Sequence, residues 1–106
     1  MPIRVRNKVE RKATGIKGYL RQRELIREVK SIPCLDCGVE YPAYVMDFDH
    51  VRGEKKFLIA RAPGHVSDDA LAAEMAKCDV VCSNCHRERT ARRLRDAADA
   101  LLLGDN

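Results

Sequence analysis

Two Cys-x-x-Cys pairs, Cys34–Leu35–Asp36–Cys37 and Cys82–Ser83–Asn84–Cys85, frame the middle of this chain and restrict its folding more than any other feature. Each pair sets two sulfurs on one side of a cation, and two pairs complete a tetrahedral zinc site. Redox dithiols are the other use of such pairs, but two pairs in one small basic chain favour Zn2+. Four sulfurs leave no open coordination position. The ion is therefore expected to be structural, its binding energy serving as folding energy. Residues 38–81 exceed the loop of an ordinary zinc finger, so a larger insert is expected inside the clamp. The fifth cysteine, Cys78, reads as a buried free thiol that packs like a small hydrophobe.

The chain has 106 residues, room for one small domain. With two Phe, three Tyr and no Trp, its core must be thin, and a metal staple is a sensible supplement. Residues 1–30 hold ten Lys/Arg against three Glu, whereas the whole chain carries only +4. A basic arm ahead of a mildly acidic body suits a polyanion, and DNA is the expected partner; the plainer reading is a solvated tail. No apolar stretch of signal-peptide or membrane-spanning type is present, which predicts a reducing, cytoplasmic setting and no membrane partner.

Residues 1–18 read as a basic flexible arm and 19–104 as the single domain. Tyr19–Lys30 is expected to be helical, with Leu25, Ile26 and Val29 on one stripe, and Pro33 ends it. Val45–Val51 alternates like a strand, and Phe57–Ala60 is expected to pair back on it across the Arg52–Lys55 turn. Ser67 caps a helix over 68–77, with Asp68 and Asp69 at its positive end and Val66 stapled to Leu71. Asp79–Val81 reads as a short extended piece. A long helix then runs from Cys85, with Thr90, Leu94, Ala97 or Ala98, and Leu101 on one side, until Gly104 stops it.

The insert carries Asp49–His50, and His86 follows the second knuckle directly. Alone, each is weak: a strand often ends in polar residues, and a His can simply cap a helix. Together, an Asp and a neutral imidazole can hold a divalent ion while a second imidazole, with an ordinary pKa of about 6.5, deprotonates water. Phosphodiester hydrolysis needs those parts. Cys82–His86 also spells C-x-x-C-H, the haem-attachment pattern, but that chemistry needs export and an axial partner. Arg87, Arg89, Arg92 and Arg93 are candidate phosphate contacts or a solvated helix face. Lys55 and Lys56 are weaker candidates. His65 lies in a Pro–Gly loop, and Asp47 is a reserve metal ligand.

From Cys34 to Arg92 the chain resembles the HNH endonucleases, particularly the small phage-type forms with a four-cysteine structural zinc site. The resemblance rests on P-C-L-D-C-G, D-F-D-H-V, G-E-K-K-F and C-D-V-V-C-S-N-C-H-R-x-R-T. It implies a small α+β protein with a ββα-metal core. It also implies that His50 is the general base, that Asp49 and His86 hold a Mg2+ or Mn2+ ion, and that Cys34, Cys37, Cys82 and Cys85 hold zinc. Hydrolysis would leave a 5′-phosphate and a 3′-hydroxyl. A homodimer or a phage packaging (terminase) protein are partners by analogy, in the nucleoid-associated cytoplasm of a bacterial host. Where the family often has Asn, five residues before the third zinc cysteine, this chain has Lys77. The competing reading is a zinc-stabilised nucleic-acid-binding module without turnover. Because neighbouring strand residues face opposite ways, a shared Asp49–His50 site predicts that the strand ends or bulges there.

Overall fold

The computed structural model describes residues 15–104. The order is helix α1 (Gly15–Val29), strand β1 (Met46–His50), helix α2 (Asp68–Met75), strand β2 (Cys78–Cys82) and helix α3 (Ser83–Gly104), with single 3-10 turns at Ala43–Val45 and Ile59–Arg61. It is a small α+β fold. None of the described helices is long and apolar enough to cross a membrane.

The strand partner differs from expectation. Phe57–Ala60 does not pair back on β1; its end curls into the Ile59–Arg61 turn, and Ile59 is buried. β1 instead pairs antiparallel with β2, from Met46 opposite Cys82 to His50 opposite Cys78. Residue pattern explains the choice: Cys78–Cys82 can bury Cys78, Val80, Val81 and Cys82, whereas Phe57–Ala60 offers one fully buried side chain. The ladder is regular through Asp49 and His50. The strand ends at His50 without a bulge, and Gly53 at φ +70° turns the chain immediately after it.

Two buried clusters lie along this ribbon. Cys34, Met46, Val80, Val81 and Cys82 form one, and Ile59, Ala62, Leu71, Met75 and Cys78 the other. The expected stripe of α1 serves both: Val29 packs on each cluster, Leu25 and Ile26 on the second. The helix starts at Gly15, so residues 15–18 belong to it rather than to an arm; the rest of the expected arm lies outside the described residues. Gln22, fully buried, pins α1 to the segment before α2: its amide nitrogen donates to Val66 O (3.0 Å) and Asp68 Oδ1 (2.9 Å), and its oxygen accepts from Gly64 N (3.0 Å). These bonds satisfy polar atoms that burial would otherwise penalise.

Ser67 caps α2 as expected, its hydroxyl accepting from Ala70 N at 3.0 Å, and Val66 packs on the cluster that holds Leu71. The helix stops at Met75, two residues short of expectation. α3 begins at Ser83, two residues early, so the second knuckle is its first turn. Its apolar stripe is not core: Leu94 is 68% exposed and Leu101 71%. Burial therefore separates two leucines that periodicity treats alike. Leu71→Ala, at 0% exposure, is expected to cost about 2–4 kcal/mol, and Leu94→Ala less than about 0.5 kcal/mol, as read from urea unfolding midpoints.

Candidate functional site

The ribbon's first end meets four thiols. Cys34 and Cys37 sit in a tight turn where Gly38 N donates to Cys34 O (2.8 Å) and Gly38 adopts φ +74°. Cys82 ends β2, and Cys85 lies in the first turn of α3. The ligand atoms of all four lie within 4.8 Å of one another. A tetrahedron with metal–sulfur bonds of about 2.3 Å requires sulfurs about 3.8 Å apart, so the set can hold a metal such as zinc. Backbone N–H groups also point at sulfur: Cys82 N and Cys37 N donate to Cys34 Sγ (3.3 and 3.5 Å), and Cys85 N to Cys82 Sγ (3.4 Å). Burial would raise the Cys34 thiol, but these donors outweigh it and bring it down to about 6. Cys85 is pushed up to about 12, first by its hydrogen bond with Cys82 and then by burial. Thiolates this close repel one another, and a bound cation would relieve that repulsion. Cys78 lies apart in the second core cluster, raised to about 11 mainly by burial, as a packed thiol should be.

Further along the ribbon, Asp47, Asp49, His50, His86 and Arg93 all border one cavity of 730 Å³. Asp47 and Asp49 share a face of β1 and flank the His86 ring. His86 Nδ1 lies 2.9 Å from Asp47 Oδ2, and His86 Nε2 lies 3.7 Å from Asp49 Oδ1. A neutral ring that donates Nδ1–H to Asp47 turns the Nε2 lone pair toward Asp49. This is the carboxylate–histidine arrangement that orients metal-binding imidazoles. Divalent-ion bonds of about 2.1 Å on each side can span the 3.7 Å gap. Asp47, held in reserve as a ligand by the sequence, is the hydrogen-bond partner of the His86 ring.

Asp49 is also clamped by two guanidinium groups. Arg93 Nη1 and Nη2 donate to its two oxygens (2.9 and 2.7 Å), and Arg89 Nη1 adds a bond of 2.8 Å. Arg93, then Arg89, hold the Asp49 carboxyl down at about 2 against the effect of burial. Arg89 further reaches Asp36 and Asp79 (2.7 and 3.0 Å). Its side chain is only 13% exposed, and its donors are spent inside the protein. Arg89, a candidate phosphate contact by sequence, ties Asp36, Asp49 and Asp79 together here. Arg87, Arg92 and Arg93 are exposed on α3, and Lys55 and Lys56 on the loop after β1. His65 is exposed and does not border this cavity.

No family model, curated protein or solved structure matches this chain.

His50 faces the other way from Asp49 and meets a residue that sequence reading missed. Its Nε2 lies 3.0 Å from Glu74 Oε2. The Glu74 side chain is 2% exposed, and the same oxygen accepts from Lys56 N (2.9 Å) while Oε1 accepts from Lys77 Nζ (2.9 Å). Burial alone would raise this carboxyl, but Lys77, the Lys56 N–H and His50 together hold it at about 2. An ionised carboxylate only accepts, so His50 donates Nε2–H to it; in a neutral ring Nδ1 then carries the lone pair. Lys77 braces the same loop twice more. Its ammonium donates to Glu54 O (2.7 Å), and its carbonyl accepts from Val51 N and Arg52 N (2.9 and 3.0 Å). The one sequence signal for Glu74 was an acid three residues before Lys77 on a capped helix, a spacing that usually means a surface pair.

Because the Glu74 pKa is depressed from 4.5 to about 2, its contribution to stability is fully present above the ordinary value and lost as pH falls through the depressed one. Glu74→Gln is expected to be less stable than the parent at pH 7. The gap should narrow steadily from pH 5 to pH 3, as read from urea midpoints of the two proteins side by side.

Proposed function

We propose that this chain is a metal-dependent endonuclease of the HNH type that hydrolyses DNA phosphodiester bonds. One observation carries the reading: an Asp47-oriented His86 faces Asp49 across 3.7 Å, on the wall of the cavity that His50 also borders. Asp49 Oδ1 and His86 Nε2 would hold one divalent ion, Mg2+ or Mn2+, which when bound stabilises charge developing on the phosphate. Glu74 fixes the His50 ring, so Nδ1 is the atom that accepts the proton of an attacking water. Water then attacks phosphorus as the P–O3′ bond breaks, and the departing 3′-oxygen takes up a proton from solvent. Hydrolysis leaves a 5′-phosphate and a 3′-hydroxyl, as the resemblance of D-F-D-H-V and C-S-N-C-H-R to that family implies. Arg93, half exposed, turns toward a phosphate once Asp49 is taken by the ion. The four thiols hold zinc as a structural ion.

The specific observation on the other side is the pair of guanidinium groups on Asp49. It favours a zinc-stabilised binding module without turnover, in which that carboxylate serves as a structural ion-pair partner. Plasmid incubated with the protein and Mg2+ or Mn2+ separates the two readings. The nuclease nicks or linearises it, and His50→Ala is slower by about 100-fold or more. Gel retardation with no cutting under any divalent ion would establish the binding module.

Elemental analysis is expected to find one zinc per chain. Cys82→Ser should lose the ion together with cooperative unfolding, while Cys78→Ala keeps it.

A further inference from the structure

A second cavity, of 1170 Å³, lies between α1 and the segment leading into β1, and all three tyrosines of the chain border it: Tyr19, Tyr41 and Tyr44. The chain has only two Phe and no Trp besides, so most of its aromatic surface is gathered on one groove. These rings are not core. Tyr19 is 39% exposed, Tyr41 36% and Tyr44 85%. A thin-cored protein would gain stability by burying them, and folding alone gives no reason to leave them in water.

The groove lies next to the Asp49–His50–His86 cavity. Ile26, Lys30 and Ala60 border both. Tyr44 precedes Asp47 by three residues, at most about 10 Å of extended chain. A base lying on Tyr44 and a phosphate beside Asp47 and His86 would therefore belong to the same few nucleotides.

Charge decides which nucleic acid fits. The groove's cations are Arg23, Arg27 and Lys30, and its acids are Glu24 and Glu40. Arg27 is paired with Glu24, Arg23 lies 5.7 Å from the Tyr19 ring centre, and Lys30, which borders both cavities, lies 6.0 Å from the Phe48 ring centre. A duplex binder held through phosphates alone typically uses about six to ten contacts. This groove cannot supply them. Its binding energy must come from ring faces, and ring faces are useful only to bases that are not already stacked in a helix. We propose that the groove binds an unpaired nucleic-acid strand, with Tyr44, Tyr41 and Tyr19 as base-stacking platforms, and leads that strand to the Asp49–His50–His86 cavity. The second half of this statement rests on the nuclease reading; the first does not.

Tyr44→Trp gives the chain its sole tryptophan at the most exposed ring of the groove. With zinc present and no Mg2+ or Mn2+, its emission should be quenched by single-stranded oligothymidylate of about 12 nucleotides and not by a duplex of equal length. Tyr44→Ala and Tyr41→Ala should each weaken single-strand binding by about fivefold, the low end for a base on an aromatic ring. Anisotropy of a labelled strand reads that loss; duplex binding should change less than about twofold, and Tyr44→Phe should bind like the parent. Silent emission, equal losses on single strand and duplex, or Ala variants that bind like the parent overturn the proposal. So does a change in self-association alone, which would make the groove a contact between copies. A protein whose tryptophan reports single strands but which cuts nothing refutes the nuclease reading and keeps the groove. One that nicks plasmid while its tryptophan stays silent refutes the groove alone.

Discussion

The pairing of Met46–His50 with Cys78–Cys82 is the constraint from which the rest follows. One end of the ladder sets Met46 against Cys82, beside the four thiols, and the other sets His50 against Cys78, beside Glu74. A shift by one residue would exchange the faces of Asp49 and His50 and bury the wrong half of β2. A two-stranded ribbon is marginal by itself. It is held because each end is tied to something else: the thiol cluster and Leu35 N to Val80 O (3.1 Å) at one end, the Lys77–Glu74 brace at the other.

Around that ribbon the charges are organised rather than scattered. Glu74 collects His50, Lys56 N and Lys77, and Asp49 collects Arg89, Arg93 and the edge of His86. Among the described residues no buried side-chain polar atom lacks a partner. Two buried carboxylates on opposite faces of one strand end thus stay ionised, each compensated by its own cations. The imidazoles beside them acquire defined donors and acceptors, which a solvated His does not have.

Parts of this were legible in the sequence because they obey local rules. Two Cys-x-x-Cys pairs announce a four-sulfur cluster whatever lies between them. Ser67 followed by two aspartates announces a capped helix, and the 25–26–29 stripe announces which face of α1 is covered. What escaped depends on contacts between distant segments. The partner of β1 could not be read from alternation, because Phe57–Ala60 and Cys78–Cys82 both look like short strands; only burial of the valines on β2 decides. Glu74 sits on a helix whose acids otherwise face water, and nothing local says that it is covered by His50 and Lys56. Arg89 looks like its exposed neighbours Arg87 and Arg92, yet it lies opposite three aspartates from three separate segments. The thiol cluster was therefore predictable from spacing, whereas the polar framework of the cavity was not.

Gln22 has a consequence for how little of this protein can stand alone. Its amide is the buried rivet between α1 and the start of α2, while at the far side Arg93 reaches back from α3 to Asp49. Neither attachment is made within a single neighbourhood of the chain. A fragment trimmed inside either residue therefore loses an attachment between segments 44 residues apart in the chain.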